Sequence, residues 1–431
     1  MIKPDTLRMG DRGGHVEVLQ LGLNRAGYSV GAIDGIFGSR TQSALRAFQS
    51  ANGLVSDGIA GPRTWSYLHP YLVGARSYTV RRGDTFFSIA ARFGTTIRAI
   101  AAANPTADPM NIRVGSRLTV PMGFDVVPET VSFSALLMQY IAEGLKLRYP
   151  FLEVGTIGSS VMGTSLYYIK IGNGDREVFY NAVHHANEYI TGTLLCSFIE
   201  RYAAAYTVGG EVSGVSSREM YNTAALYAVP LVNPDGADLV TGSLRRGNYY
   251  TAAKAISNAY PTIPFPAGWK ANISGTDLNL QYPTGWENAR EIKFAQGFTS
   301  PAPRDYVGAA PLSAPEARAV YNFTRAHNFA VTVSYHTQGE VIYWKYLDYT
   351  PPCAEETGLA LSSLTGYSLE NTPYASGYAG YKDWFIYEYY RPGYTIEVGR
   401  GTAPLPLGQI TEIKRDNFPA MAYLLSADIC V

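Results

Sequence analysis

Apolar positions along the chain follow two patterns, helical spacing and short continuous runs, and together they mark three segments. In the first, Val16, Leu19 and Leu23, then Ala44, Leu45 and Phe48, recur at the spacing of two amphipathic helices. The stretch Asp34-Gly35-Ile36-Phe37-Gly38-Ser39-Arg40-Thr41 returns as Asp57-Gly58-Ile59-Ala60-Gly61-Pro62-Arg63-Thr64. In both copies Asp-Gly suits a positive backbone angle, and Ser39 or Pro62 stands where a helix starts. A small α-helical bundle is predicted over 5–70, followed by a short linker at 71–76.

In the second segment, 77–122, Tyr78-Thr79-Val80 reads as a strand and Ile89, Ala90 and Phe93 as the face of a helix. A second helix, capped by Thr95 or Thr96, runs through Ile100, and Arg117–Pro121 closes a β-α-α-β unit. Another linker is predicted at 124–131. The third segment, 128–431, opens with a helix over 132–148, carried by Leu136, Leu137, Tyr140 and Ile141. Strand-like runs at 165–171, 177–183 and 224–232 alternate with helical stretches, which predicts an α/β sheet covered on both faces.

Composition narrows the choice of function. A length of 431 residues implies two or three domains, and 46% hydrophobic content is ample for their cores. Thirty-five basic residues balance 35 acidic ones, which argues against nucleic acid or an anionic membrane as partner. The first twenty residues hold no apolar core of the kind a secretory signal needs, and no long apolar run follows. Cys196, Cys353 and Cys430 lie far apart and suggest no disulfide framework, which favours a reducing compartment at synthesis.

The chemistry concentrates at strand ends. The run 177–183 leads into His184-His185-Ala186-Asn187-Glu188, and helical spacing then begins with Ile190, Leu194, Leu195 and Ile199. A strand-to-helix loop at the carboxyl end of a strand faces the crevice where α/β proteins collect ligands. A His and a Glu three residues apart can give one imidazole nitrogen and one carboxylate to the same zinc. The run 329–335 delivers His336, one of only six histidines, and 394–398 carries Glu397 within an apolar strand. An isolated buried carboxylate is costly unless it is paired, near a metal or tuned for proton transfer. Two His and a Glu make a zinc site with a position open to water, and the separate Glu supplies a general base.

Five ordered motifs, H-x-x-E at His185 and Glu188, N-P-D-G at 233–236, D-L-N at 277–279, S-Y-H at 334–336 and T-I-E ending at Glu397, make 128–431 resemble the zinc carboxypeptidases. The resemblance implies a mixed, largely parallel sheet. It implies that His185, Glu188 and His336 bind one Zn2+, that Glu397 activates water and that Asp277 orients His185. It further implies substrate contacts from Asn279 and from Tyr374, with Tyr378 and Tyr381 as close alternatives, and an oxyanion role for Lys270 where the family has Arg. His184, four residues before Glu188, is the alternative ligand.

One departure matters. The family's Arg after D-x-N, which grips a free terminal carboxylate, is Leu280 here. The wording around H-H-A-N-E and D-L-N-x-Q is similar to the narrower γ-D-glutamyl-L-diamino acid endopeptidases, which cut peptidoglycan stem peptides. Residues 5–70 resemble a peptidoglycan-binding domain, through G-x-x-G-x-x-V-x-x-L-Q and D-G-x-x-G-x-x-T. Residues 77–122 resemble a LysM domain, through Y-T-V-x-x-G-D-T, Asn104 and L-x-V-P. The implied protein is a monomeric metallopeptidase of the bacterial cell wall or spore, tethered to peptidoglycan through its glycan. The alternatives are a carboxypeptidase trimming stem peptides, and a wall-binding protein without catalysis.

Overall fold

The computed structural model describes residues 2–429. The first module packs α1 (Gly14–Arg25), α2 (Ser39–Ala51) and α3 (Pro62–Val73), with the predicted apolar residues inside. The two repeated loops are built alike. Gln20 Nε2 donates to Asp34 Oδ1 and Gln49 Nε2 to Asp57 Oδ1, at 2.8 and 2.9 Å.

The linker expected at 71–76 does not exist. Helix α3 runs to Val73, a single left-handed Gly74 turns the chain, and β1 (Ala75–Thr79) begins at once, earlier than predicted. Helices α4 (Phe86–Phe93) and α5 (Ile97–Ala103) follow, capped by Thr85 and Thr96 side chains that accept backbone N–H groups. Strand β2 (Arg117–Pro121) pairs antiparallel with β1. Asn104 ties α5 to β2, donating to Ile100 O and Thr119 O and accepting from the Thr119 N–H.

The second expected linker is packed, because its Val126, Val127 and Val131 are apolar and buried. Glu200 accepts the N–H groups of Val126 and Val127 at 2.7 and 2.8 Å. Arg25 of α1 donates to the carbonyls of Asp125 and Val126, and the Ser132 N–H donates to Glu17. Gly13 lies so close to Gly242 that a Cβ there would stand 2.0 Å from its carbonyl oxygen. One hydrophobic core therefore continues from the first module into the third.

The third segment starts with α6 (Ala135–Arg148), β3 (Glu153–Ser159), β4 (Ser165–Ile171) and β5 (Arg176–Ala182). After α7 (Ile190–Val208) and a small hairpin, β6 (Glu211–Val212) with β7 (Val215–Ser216), come β8 (Ala224–Val229) and β9 (Val331–His336). The last strands are β10 (Val341–Tyr343), β11 (Ser368–Glu370) and β12 (Gly393–Glu397). They form one eight-stranded sheet in the order β11-β10-β12-β9-β5-β8-β4-β3. The central pairings β12-β9, β9-β5 and β5-β8 are parallel, and helices cover the sheet.

Cys196 is a buried free thiol, as a core residue should be, but Cys353 is disulfide-bonded, against the expectation of no cross-link. No helix among the described residues is long and apolar enough to cross a membrane.

Candidate active site

Three parallel strands end side by side and supply the site. Register places Glu397 directly beside His336 across β12 and β9, and Ala182 beside Tyr335 across β5 and β9. Beyond β5 the chain turns at Val183, whose φ of 57° is unusual for a β-branched residue. The strain is held from outside. The Asn233 N–H donates to Val183 O, and the Asn233 side chain donates to the carbonyls of His184 and Ala271. The N-P-D-G motif thus buttresses the ligand loop.

A short 3-10 turn, Ala186–Glu188, folds Glu188 back toward His185. His185 Nδ1 lies 3.0 Å from Glu188 Oε1, and His336 Nδ1 lies 2.9 Å from Glu188 Oε2. The two Nδ1 atoms are 3.2 Å apart, and one donor atom from each of the three residues falls within 4.8 Å of the others. Two imidazole lone pairs converging on a carboxylate suit a divalent cation better than they suit one another. Asp277 Oδ1 stands 3.2 Å from His185 Nε2, which leaves Nδ1 as the lone-pair nitrogen. The donor set therefore fits zinc.

Charge is finely poised around this set. Burial alone would raise Glu188, yet the His185 and Lys270 charges outweigh it and hold the carboxyl well below the usual range. Glu397 lies within the same field. Burial, and then the negative charge of Glu188, push its carboxyl up to about 8. Lys270 places Nζ 2.8 Å from Glu188 Oε1.

Two cavities meet at the centre. One, of about 740 Å³, is bounded by Lys270, Thr337, Gln338, Glu397 and Arg304. The other, of about 190 Å³, is bounded by His185, Asn279, Leu280, Lys382, Asp383 and Glu397.

Most expected site residues are brought together, namely His185, Glu188, His336, Glu397, Lys270, Asp277 and Asn279. Asn279 lines the smaller cavity, although its Oδ1 already accepts the Tyr381 N–H at 3.1 Å. Tyr374 is not brought in. It is 70% exposed, packs edge-on against Tyr378 and bounds neither cavity. Tyr381 is buried with its hydroxyl on Thr324, and neither it nor Tyr378 bounds either cavity. His184 is buried against the Tyr282 hydroxyl at 2.9 Å and lies outside the converging set. Arg304 went unpredicted, since a loop arginine flanked by Pro303 and Asp305 carries no periodic or motif signal.

Comparison with known proteins agrees with this geometry. A zinc carboxypeptidase family model matches residues 138–420, a peptidoglycan-binding domain model 12–68 and a LysM model 78–121. The chain is 42% identical to gamma-D-glutamyl-L-diamino acid endopeptidase 1 of Lysinibacillus sphaericus, over 63% of this chain and 67% of that protein. It is 35% identical to protein YqgT of Bacillus subtilis (strain 168), over 62% of this chain and 69% of that one. The fold matches that of bovine thrombin-activatable fibrinolysis inhibitor with a TM-score of 0.51 at 20% identity, over 68% of this chain and 96% of that one. With the family model covering 138–420, and with a His-Glu-His cage and a facing carboxylate at its sheet ends, the chain belongs to the zinc carboxypeptidase family.

Proposed function

We propose that this protein hydrolyses the γ-D-glutamyl-L-diamino acid amide bond of peptidoglycan stem peptides, using one zinc ion held by His185, Glu188 and His336. What carries the proposal is Leu280. An apolar side chain bounds the cavity where an exopeptidase of this family grips a free terminal carboxylate, and the relative from Lysinibacillus sphaericus bears an endopeptidase's name.

A zinc ion in such a site lowers the pKa of water and polarises a carbonyl. Glu397, beside His336 in register and bounding both cavities, takes the proton of the attacking water and returns it to the leaving amine. The Lys270 ammonium meets the negative charge that develops on the carbonyl oxygen. Asp277 holds the His185 ring, and Asn279 orients substrate from the smaller cavity.

The two N-terminal modules bind the glycan and keep a monomeric enzyme at an insoluble substrate. The disulfide at Cys353 is consistent with work outside a reducing cytoplasm. The test is mass spectrometry of products from L-Ala-γ-D-Glu-diamino acid-D-Ala, with Glu397→Ala as control. Release of L-Ala-D-Glu, absent with Glu397→Ala, supports the proposal. Release of D-Ala alone would make the enzyme a carboxypeptidase.

A further inference from the structure

Arg304 stands on the wall shared by the two cavities. Its position is fixed on both sides. The N–H groups of Lys270 and Ala271 donate to the Pro303 carbonyl at 2.8 and 2.9 Å, and the Asp305 N–H donates to Asp277 Oδ2 at 3.0 Å. The residue is thus anchored to the oxyanion lysine and to the carboxylate behind His185. Asp305 holds a left-handed φ of 64°, takes the Lys293 ammonium on Oδ1 and accepts Arg304 Nε on Oδ2, both at 2.6 Å. Among the described residues the terminal nitrogens of Arg304 donate to nothing else, and the side chain is 44% exposed. A guanidinium clamped at Nε with its fork open is a ready carboxylate receptor.

Which carboxylate it takes follows from the cavities. Asn279 and Leu280, at the leaving-group end by the logic of the missing clamp, bound the smaller cavity, so the larger one receives the acyl side. On the leaving side the remaining lysines are already paired, Lys293 with Asp305 and Lys382 with Asp383. In the larger cavity the charged groups are Lys270, Glu397 and Arg304, and the first two are engaged in the reaction. A γ-linked glutamyl residue differs from every α-linked residue in carrying a free α-carboxylate on its acyl side.

Given the function proposed above, we infer that Arg304 binds the α-carboxylate of the D-glutamyl residue and makes the enzyme select γ-glutamyl substrates in which that group is free over those in which it is amidated. Arg304 is then a specificity residue in direct contact with substrate.

The experiment compares rates on L-Ala-γ-D-Glu-diamino acid with the D-glutamyl α-carboxylate free or amidated, and with the main-chain carboxylate of the diamino acid amidated instead. Wild type, Arg304→Gln and Arg304→Lys are used, with zinc content measured to show that each is folded. Wild type is expected to prefer the free α-carboxylate by about 100-fold in kcat/KM, because the amide removes the charge and the second acceptor oxygen that the open fork of the guanidinium takes. In Arg304→Gln the two substrates should come within about threefold of each other, with Arg304→Lys between, since lysine keeps charge without the fork. Equal wild-type rates on the two, preference retained in Arg304→Gln, or sensitivity only to the diamino acid carboxylate would overturn the inference and leave the proposed reaction standing. Cleavage of none of them at the γ-glutamyl bond would remove the reaction and the inference with it.

Discussion

Lys270 and Glu188 share a contact of 2.8 Å, made at the same carboxylate oxygen, Oε1, that faces His185 Nδ1. A cation is thereby held at the edge of the proposed ligand set, and the proposed reaction gives it the charge of the developing oxyanion to meet. Lys270→Ala should lower kcat by about 100- to 1000-fold with KM little changed, as for loss of an oxyanion donor. Steady-state kinetics alongside zinc stoichiometry checks this. A raised KM at constant kcat would assign the lysine to ground-state binding.

His336 and Glu188 are both buried and meet at 2.9 Å. His336→Ala and Glu188→Ala should each abolish stoichiometric zinc binding and activity together, whereas His184→Asn should retain zinc, because His184 lies outside the set. A chelator should inactivate the wild type and added zinc restore it. Metal analysis after dialysis is sufficient to decide.

The carboxyl of Glu397, pushed up to about 8 by burial and then by Glu188, gives the zinc-free protein a pH signature. A carboxyl whose pKa is higher folded than unfolded binds more protons in the folded state. Its contribution is full below the ordinary value of 4.5 and is lost as pH rises through about 8. Urea midpoints of zinc-free protein should therefore fall between about pH 5 and 9, and Glu397→Gln should flatten that slope.

Glu200 accepts two backbone N–H groups from the segment joining the modules to the third domain, and Arg148 lies 3.3 Å from the same carboxylate. Glu200→Ala strands the two N–H groups and removes the carboxylate beside Arg148, which keeps its bonds to the carbonyls of Met122 and Phe124. Destabilisation of about 3 kcal/mol or more is expected, along with new protease sensitivity at 124–131. Limited proteolysis followed by terminal sequencing would show whether the clamp holds that segment.

Most of the site is legible in the sequence because buried parallel strands read as uninterrupted apolar runs, and a titratable residue at the end of such a run stands out. His336 and Glu397 are visible for that reason, and the two strands end with them side by side in register. The short strands β10 and β11 are not legible, having only three residues each to show a period. Arg304 escapes because its loop is ordered by Pro303, Asp277 and Lys293, contacts distant in sequence that no local pattern encodes. Tyr374 stands outside both cavities, and in a tyrosine-rich loop with several candidates spacing alone does not orient any of them. The supposed linker at 124–131 did carry a warning: three valines in a connecting segment are a poor investment for a flexible tether and a good one for a packed joint.

That joint changes what glycan binding does. With Arg25 and Glu17 of the first module bonded to the joint and Glu200 holding the joint from the third segment, the separation between the first module and the candidate site is set by packing and not by a free tether. Stem peptides project from a glycan strand at regular intervals and in set directions. Under the proposed function, a rigid gauge seated on such a strand would reach only those peptides that project at its own spacing and phase, so cuts would recur with the periodicity of the polymer rather than scatter wherever a loose arm could swing.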